Sequence, residues 1–392
     1  MSTSADAGTD TATWNGLKAL EHTLPSPYYV DPAHHAVELD RIWYRNWVYL
    51  CRADELGEPL GFRTFTIGTQ PILVLRDADG ELRGFYNTCR HRGSALCAQP
   101  QGRLPARSLT CPYHGWTYDL RGNLLRIPAH GRPKPVDTRE FPLYAIAVTN
   151  WNGFVFANLT AQPARALEQA FGADAGKLAH WPLAELLVGH TRTTILECNW
   201  KVFWENYNEC LHCPNVHPAL SSLVPIYRRA IMEERDDPNW RAHEGSDDPQ
   251  FKGGLRAGAA SWSVDGRSTG HEFPNLSAEQ RRVGYQFVTC LPSVYLVGHV
   301  DYVRAVRIHP LGPERTELHT QWLFPRAALA DPRLDLANTV DFAAQVMAED
   351  GSACELVQRG LRSRPHAAGV LLPEEYDVYG FQSWVRTELA RP

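Results

Sequence analysis

Two short strings constrain this chain more than any other feature: Cys89-Arg90-His91 and, after nineteen intervening residues, Cys111-Pro112-Tyr113-His114. Each sets a cysteine beside a histidine in turn-like surroundings. Two thiolates and two imidazoles can hold a [2Fe–2S] cluster, the cysteines on one iron and the histidines on the other, which is the Rieske arrangement. Two imidazoles in place of two thiolates raise the potential to about −150 to +300 mV, against about −400 mV for plant-type ferredoxins. Zinc also accepts Cys₂His₂ sets. Zinc fingers, however, bring Cys-x-x-Cys and then His-x-x-x-His, not cysteine and histidine interleaved twice. The spacing therefore favours the cluster. Gly93 and Gly115 let the backbone turn tightly beside it, and Tyr113, Trp116 and the neighbouring amides are candidate hydrogen-bond donors to sulfur. Arg90 and Arg92 read equally well as exposed turn residues.

Such a cluster moves single electrons and performs no chemistry on carbon, so the chain needs a second site. The densest candidate runs from Glu197 to Pro218. It lacks helix breakers as far as Leu211, and Pro214 disfavours helix at Cys213, so a helix is expected to end near His212. His212 then lies at the helix end and His217 on the loop after it, two histidines able to converge. One added carboxylate completes the two-His-one-carboxylate facial set of non-haem Fe(II) oxygenases, with positions left open for dioxygen and substrate. Cys210 and Cys213 offer rival readings as zinc ligands or as a redox pair. Further on, Asn338-Thr339 reads as a cap for a helix to Leu361, with Val340, Ala343, Ala344, Met347, Cys354 and Val357 at helical spacing.

The segments Asn87–Gly93 and Cys111–Tyr118, and the string Glu205-Asn206-Tyr207-x-Glu209-x-x-His212-x-x-x-x-His217, resemble those of the Rieske non-haem iron oxygenases. These are the terminal (alpha) subunits of the aromatic-ring-hydroxylating dioxygenase superfamily. The gap between the two cluster pairs is slightly longer than usual there, which points to a small insertion around Leu104–Arg107. The resemblance implies a Rieske cluster on Cys89, His91, Cys111 and His114, and a mononuclear Fe(II) on His212, His217 and Asp350. Asp350 matches the third ligand because Cys354–Leu361 follows it in the family's pattern; as helical acids alone, Glu349 and Glu355 are its rivals. The resemblance also marks Glu209 and Asn206 as catalytic candidates. Glu209 precedes His212 by three residues, on the same face of the expected helix, and an acid there joins the iron histidine to a cluster histidine of a neighbouring subunit. Most members carry aspartate at that position. Glutamate here, with Leu211 where tyrosine is common, resembles the branch that oxidises choline, carnitine and betaines. An oligomer is implied, a homotrimer by family habit.

Organisation and composition agree. The 392 residues are 44% hydrophobic with a net charge of −5, suited to packed domains and unsuited to a general nucleic-acid partner. The start lacks the basic and apolar regions of a signal peptide, and no apolar run approaches ~20 residues. Nine cysteines, two assigned to the cluster, read as reduced thiols of a cytoplasmic protein. The first dozen residues are expected to be disordered. The expected fold is α+β, in three parts. Residues 1–44 form a tail and helical lead-in packing on the catalytic domain. Residues 45–160 form an all-β Rieske domain, with strand-like runs such as Pro71–Gly80 and Leu82–Tyr86. Residues 161–392 form a catalytic domain, for which the resemblance implies a helix-grip (START-like) antiparallel sheet. Its expected strands are Val283–Leu291, Val294–Val297, Val303–Ile308 and Glu317–Phe324. The polar, Gly-rich stretch Asp236–Thr269 reads as a mobile loop region that could serve as a lid.

There is no G-x-G-x-x-G after a strand and no phosphate loop, so electrons are expected from an NAD(P)H-dependent flavin/iron-sulfur reductase. The expected activity is that of a terminal oxygenase using O2, most simply N-demethylating or hydroxylating a quaternary ammonium or betaine-type substrate. Hydroxylation or dihydroxylation of an aromatic acid is the alternative. An electron carrier without oxygenase activity would not need His212, His217 and Asp350. A quaternary ammonium calls for cation–π partners, with Trp204, Tyr207, Trp262, Tyr285, Tyr295, Tyr302 and Trp322 as candidates. An aromatic acid calls for an arginine clamp, for which Arg304 and Arg307 qualify.

Overall fold

The computed structural model describes residues 14–128 and 136–391; the expectation of disorder in the first dozen residues lies outside them. In the first half, seven antiparallel strands pair in the order Val48–Arg52, Phe154–Asn158, Ala145–Trp151, Leu82–Tyr86, Gln70–Arg76, Gly61–Ile67, Gln101–Arg103. The run Ile72-Leu73-Val74-Leu75 shows why a continuous apolar string can still be a strand. Side chains alternate across the sheet, and Ile72 and Val74 enter one core while Leu73 and Leu75 enter another. A three-stranded sheet, Ser108–Thr110, Thr117–Asp119 and Leu124–Arg126, packs beside it.

The second half is built on five antiparallel strands in the order Leu187–Leu196, Arg315–Phe324, Val303–Gly312, Val294–His299, Tyr285–Cys290. The four late strands overlap the expected ones, running on to His299 and Gly312 and starting earlier at Arg315. Leu187–Leu196 was not anticipated, because Thr191, Arg192 and Thr193 lie exposed along it and remove the apolar signal. Helices Trp200–Tyr207, Leu336–Leu361 and Tyr376–Ala390 accompany this sheet. The expected α+β class is therefore the observed one.

Three local expectations are corrected. The helix after Asn199 stops at Tyr207 rather than near His212. Beyond it the Glu209 carboxylate accepts from the amides of Leu211 and His212, and such local side-chain capture of N–H groups competes with helical bonding. The long helix starts at Leu336, capped by Asp335, whose carboxylate accepts from the Asn338 amide; Asn338 lies inside it. The stretch Asp236–Thr269 is pinned by buried Trp240, Leu255 and Trp262, so it forms a wall of the domain instead of a free lid.

The lead-in helices Pro27–Val30 and Pro32–Glu38 begin on prolines, whose missing N–H costs nothing at a helix start. They end in a buried ion pair, Glu38 Oε1 to Lys201 Nζ at 2.5 Å, with the Trp200 indole donating to Glu38 at 2.9 Å. Tyr29 donates to Glu205 at 2.6 Å. These contacts tie the lead-in to the short helix Trp200–Tyr207, from which the site segment departs.

Candidate metal centres and active-site cavity

The two cluster loops share one backbone pattern. The amides of Gly93 and Gly115 donate to the carbonyls of Cys89 and Cys111, each at 3.0 Å. The Cys89 and Cys111 amides donate at 2.8 Å to the carbonyls five residues on, Ser94 and Trp116. Both glycines hold positive φ, 76° and 69°, where a side chain would be strained. Each loop thus tucks its thiol inward and leaves its imidazole at the surface: Cys89 and Cys111 are buried, while the His91 and His114 Nδ1 atoms face each other at 3.1 Å. Sulfur meets donors, with Tyr118 Oη 3.3 Å from Cys89 Sγ. Burial pushes the Cys111 thiol up, but amide hydrogen bonds from Tyr113 and His114 bring it below its ordinary value. Two inward thiols with donors and two outward imidazoles fit a cluster with cysteines on the inner iron and histidines on the outer.

The donors differ in part from expectation. Tyr113 is 59% exposed and lies against His114, and the Trp116 ring stacks on His91 with centroids 5.0 Å apart. Tyr118 supplies the hydroxyl instead. Its strand position, two residues past Trp116, was the available signal. Arg90 is engaged too, donating to the Pro142 carbonyl at 2.6 Å over the Tyr144 ring.

In the second half, ligand atoms of His212, His217 and Asp350 all lie within 4.8 Å of one another. Asp350 Oδ1 is 2.9 Å from His217 Nε2 and 3.4 Å from His212 Nε2. Each imidazole is held from behind by a second carboxylate: His212 Nδ1 by Glu209 Oε1 at 2.5 Å, His217 Nδ1 by Glu349 Oε2 at 2.7 Å. Pairing Nδ1 in this way selects the tautomer that presents a free Nε2 lone pair to a metal. Burial lowers the His212 pKa, but hydrogen bonds to Asp350 and Glu209 outweigh it and lift the value to about 9. The pocket is electrostatically set to hold positive charge, and the donor set suits a divalent iron with open positions.

Glu209 reaches His212 through a turn rather than along a helix face as expected. Asn206 Nδ2 lies 3.5 Å from His212 Nε2. Glu349, weighed only as a rival ligand, instead orients His217. Cys210 and Cys213 are joined by a disulfide across the turn, Cα atoms 4.9 Å apart. The expectation of reduced thiols fails for this pair, and the bond removes both as zinc ligands; the other seven cysteines are free.

The ring-hydroxylating alpha subunit catalytic domain matches residues 183–391, and the Rieske [2Fe–2S] domain matches residues 46–146. This chain is a Rieske oxygenase alpha subunit. It belongs to a family of oxidoreductases that carry the cluster and a mononuclear iron and work with a separate reductase on small-molecule substrates. The alpha subunit is 29% identical to the glycine betaine monooxygenase oxygenase subunit of Chromohalobacter salexigens, over 93% of this chain and 85% of that one. It is 27% identical to the chloroplastic choline monooxygenase of Spinacia oleracea, over 94% and 78%. In fold it matches a quaternary ammonium Rieske monooxygenase (TM-score 0.70, 20% identity, 94% and 96% covered). It also matches naphthalene 1,2-dioxygenase from Rhodococcus sp. (TM-score 0.71, 20% identity, 94% and 95% covered). No helix among the described residues is long and apolar enough to cross a membrane.

A cavity of about 790 Å³ opens beside His212, His217 and Asp350 in the alpha subunit. Of the aromatic candidates, Tyr207, Trp262, Tyr285 and Tyr295 line it, joined by Tyr227 and Phe287. Trp204, Tyr302 and Trp322 do not; they are fully buried in packed cores. The Tyr207 and Tyr295 rings lie 4.2 Å apart, and Trp262 packs edge-on against Tyr285 at 5.4 Å. Arg304 lines the cavity, whereas Arg307 is committed to Leu50 and Glu317. Period-two alternation explains the lining: neighbours across the sheet at Phe287, Val297 and Arg304 share one face.

Proposed function

We propose that this alpha subunit oxidises a carbon next to the nitrogen of a small quaternary ammonium compound, as N-demethylation or hydroxylation. The observation that carries this reading is the aromatic lining of a cavity that also contains His212, His217 and Asp350. Ring faces attract a cation that cannot accept or donate hydrogen bonds, by ~0.5–2 kcal/mol per well-placed ring. His212, His217 and Asp350 would hold the Fe(II), and Cys89, His91, Cys111 and His114 the cluster. When bound, the cluster supplies electrons singly and the ferrous ion supplies dioxygen activation.

The protein's own part is positioning. Glu209 and Glu349 fix the two imidazoles, Asp350 contributes compensating charge, and Tyr207, Tyr295 and Phe287 hold the ammonium so that a methyl or methylene faces the Nε2 atoms. Asn206 is a positioning group beside His212. Electrons come from an NAD(P)H-dependent flavin/iron-sulfur reductase. The working assembly is a homotrimer in which Glu209 links His212 to a cluster histidine of the adjacent subunit. Glu209 is suited to this because Oε2 accepts the Leu211 and His212 amides while Oε1, bonded to His212 Nδ1, retains a further lone pair.

The test is oxygen consumption and formaldehyde release with the reductase, comparing glycine betaine, choline and benzoate. Coupled consumption with a quaternary compound and none with benzoate is expected. Coupled turnover of benzoate alone would overturn the reading and favour the aromatic-acid alternative.

A further inference from the structure

Arg304 is an anomaly in the cavity wall. It is 4% exposed, and its Nε and Nη1 have no hydrogen-bond partner. No carboxylate lies within ion-pair distance among the described residues; the Trp262 ring lies 5.8 Å from Cζ. Arg307, three residues on, shows what the fold does when an arginine is structural: it donates to the Leu50 carbonyl at 2.7 Å and pairs with Glu317 at 3.0 Å. A guanidinium withdrawn from water and left unpaired is costly, and persists where a ligand supplies the missing acceptor. The other basic residues lining the cavity, Lys177, Arg235 and Lys252, are far more exposed. Arg304 alone sits in the wall itself.

We infer that Arg304 binds a substrate carboxylate, so that the substrate is a zwitterion carrying both a quaternary ammonium and a carboxylate. This rests on the quaternary ammonium reading above and narrows it. Arg304 and the Tyr207–Tyr295 pair line the same cavity, and Tyr295 lies in the electrostatic range of both Arg304 and Asp350. A carboxylate at Arg304 with its ammonium against those rings would direct the N-methyl groups towards the His212–His217–Asp350 side. A cation with no carboxylate would instead meet an uncompensated positive charge. A guanidinium holds a carboxylate through two parallel charge-assisted hydrogen bonds, which an ammonium cannot reproduce.

The experiment measures dissociation constants of glycine betaine, its methyl ester, choline and benzoate on the metal-loaded protein, in wild type, Arg304→Gln and Arg304→Lys. In wild type, glycine betaine should bind at least ~10-fold more tightly than its ester or choline. Arg304→Gln should weaken glycine betaine by at least ~30-fold and leave choline unchanged or tighter, with Arg304→Lys in between. The wild-type ester comparison decides the matter even if the variants fail to fold. Equal binding of glycine betaine and choline, or no effect of Arg304→Gln on the betaine, overturns the inference while leaving the quaternary ammonium reading intact. Binding of benzoate alone, lost in Arg304→Gln, overturns the quaternary ammonium reading and the zwitterion with it, leaving Arg304 as the anchor of an aromatic acid.

Discussion

The two candidate metal centres are assembled in opposite ways. The cluster loops are local: within 89–116 each loop carries its own cysteine, histidine, glycine turn and amide donors, closed by the same two backbone hydrogen bonds. The candidate iron site is not local. His212 and His217 come from a turn after a short helix, and Asp350 arrives from the middle of Leu336–Leu361. Gly351 permits that approach, since a Cβ there would lie 2.7 Å from the Leu196 side chain. A local site survives damage elsewhere, whereas a site assembled from distant segments depends on every contact that aligns them. Its supports are correspondingly elaborate, with Glu209 and Glu349 behind the histidines and the Glu38–Lys201 pair beneath the helix that leads to them.

The sharpest break of this comparison is reciprocal deletion. His217→Ala should abolish mononuclear iron and reduce product formation to background, a loss of at least ~10³-fold, while Rieske absorption and acid-labile sulfide persist. Cys111→Ser should do the converse, losing the cluster and keeping iron at the second site. Loss of both metals in either variant would mean the centres are not independent.

A smaller effect is expected at Glu209, which in the proposed trimer would join the two centres. Glu209→Gln keeps the size and a hydrogen bond but removes the charge that orients His212. Both metals should bind and the reductase should still reduce the cluster, yet single-turnover product should fall at least ~10-fold. Wild-type rates of cluster re-oxidation with substrate and oxygen would rule out the inter-subunit route.

A third effect concerns stability, not turnover, beneath the candidate iron site. Burial raises the Glu205 carboxyl to about 7, against 4.5 ordinarily, despite hydrogen bonds from Tyr29 and Gln382. Between those values the folded chain keeps a proton that the unfolded chain has lost, so stability falls as pH rises from about 4.5 to 7. The drop should be on the order of 3 kcal/mol. Denaturant melts across that range should flatten in Glu205→Gln, and an unchanged slope would assign the dependence elsewhere.

Residue order alone was enough for the cluster loops, because Cys-x-His, Cys-x-x-His and the two glycines specify a local geometry with no help from distant residues. Most strands were equally legible, since alternation is a property of five to ten consecutive side chains. His212 and His217 were visible as a pair, and Asp350 through its resemblance to a known pattern. What only the tertiary structure decided is long-range. It separated Asp350 from Glu349, adjacent helical acids that turn their carboxylates to opposite nitrogens of His217. It ended the helix at Tyr207 because Glu209 captures amides beyond it, and it brought Cys210 and Cys213 together. It also split the two arginines of one strand, pairing Arg307 with Glu317 across the sheet and leaving Arg304 facing a cavity. Composition cannot separate such residues, because partner and burial are set by which segments pack against them.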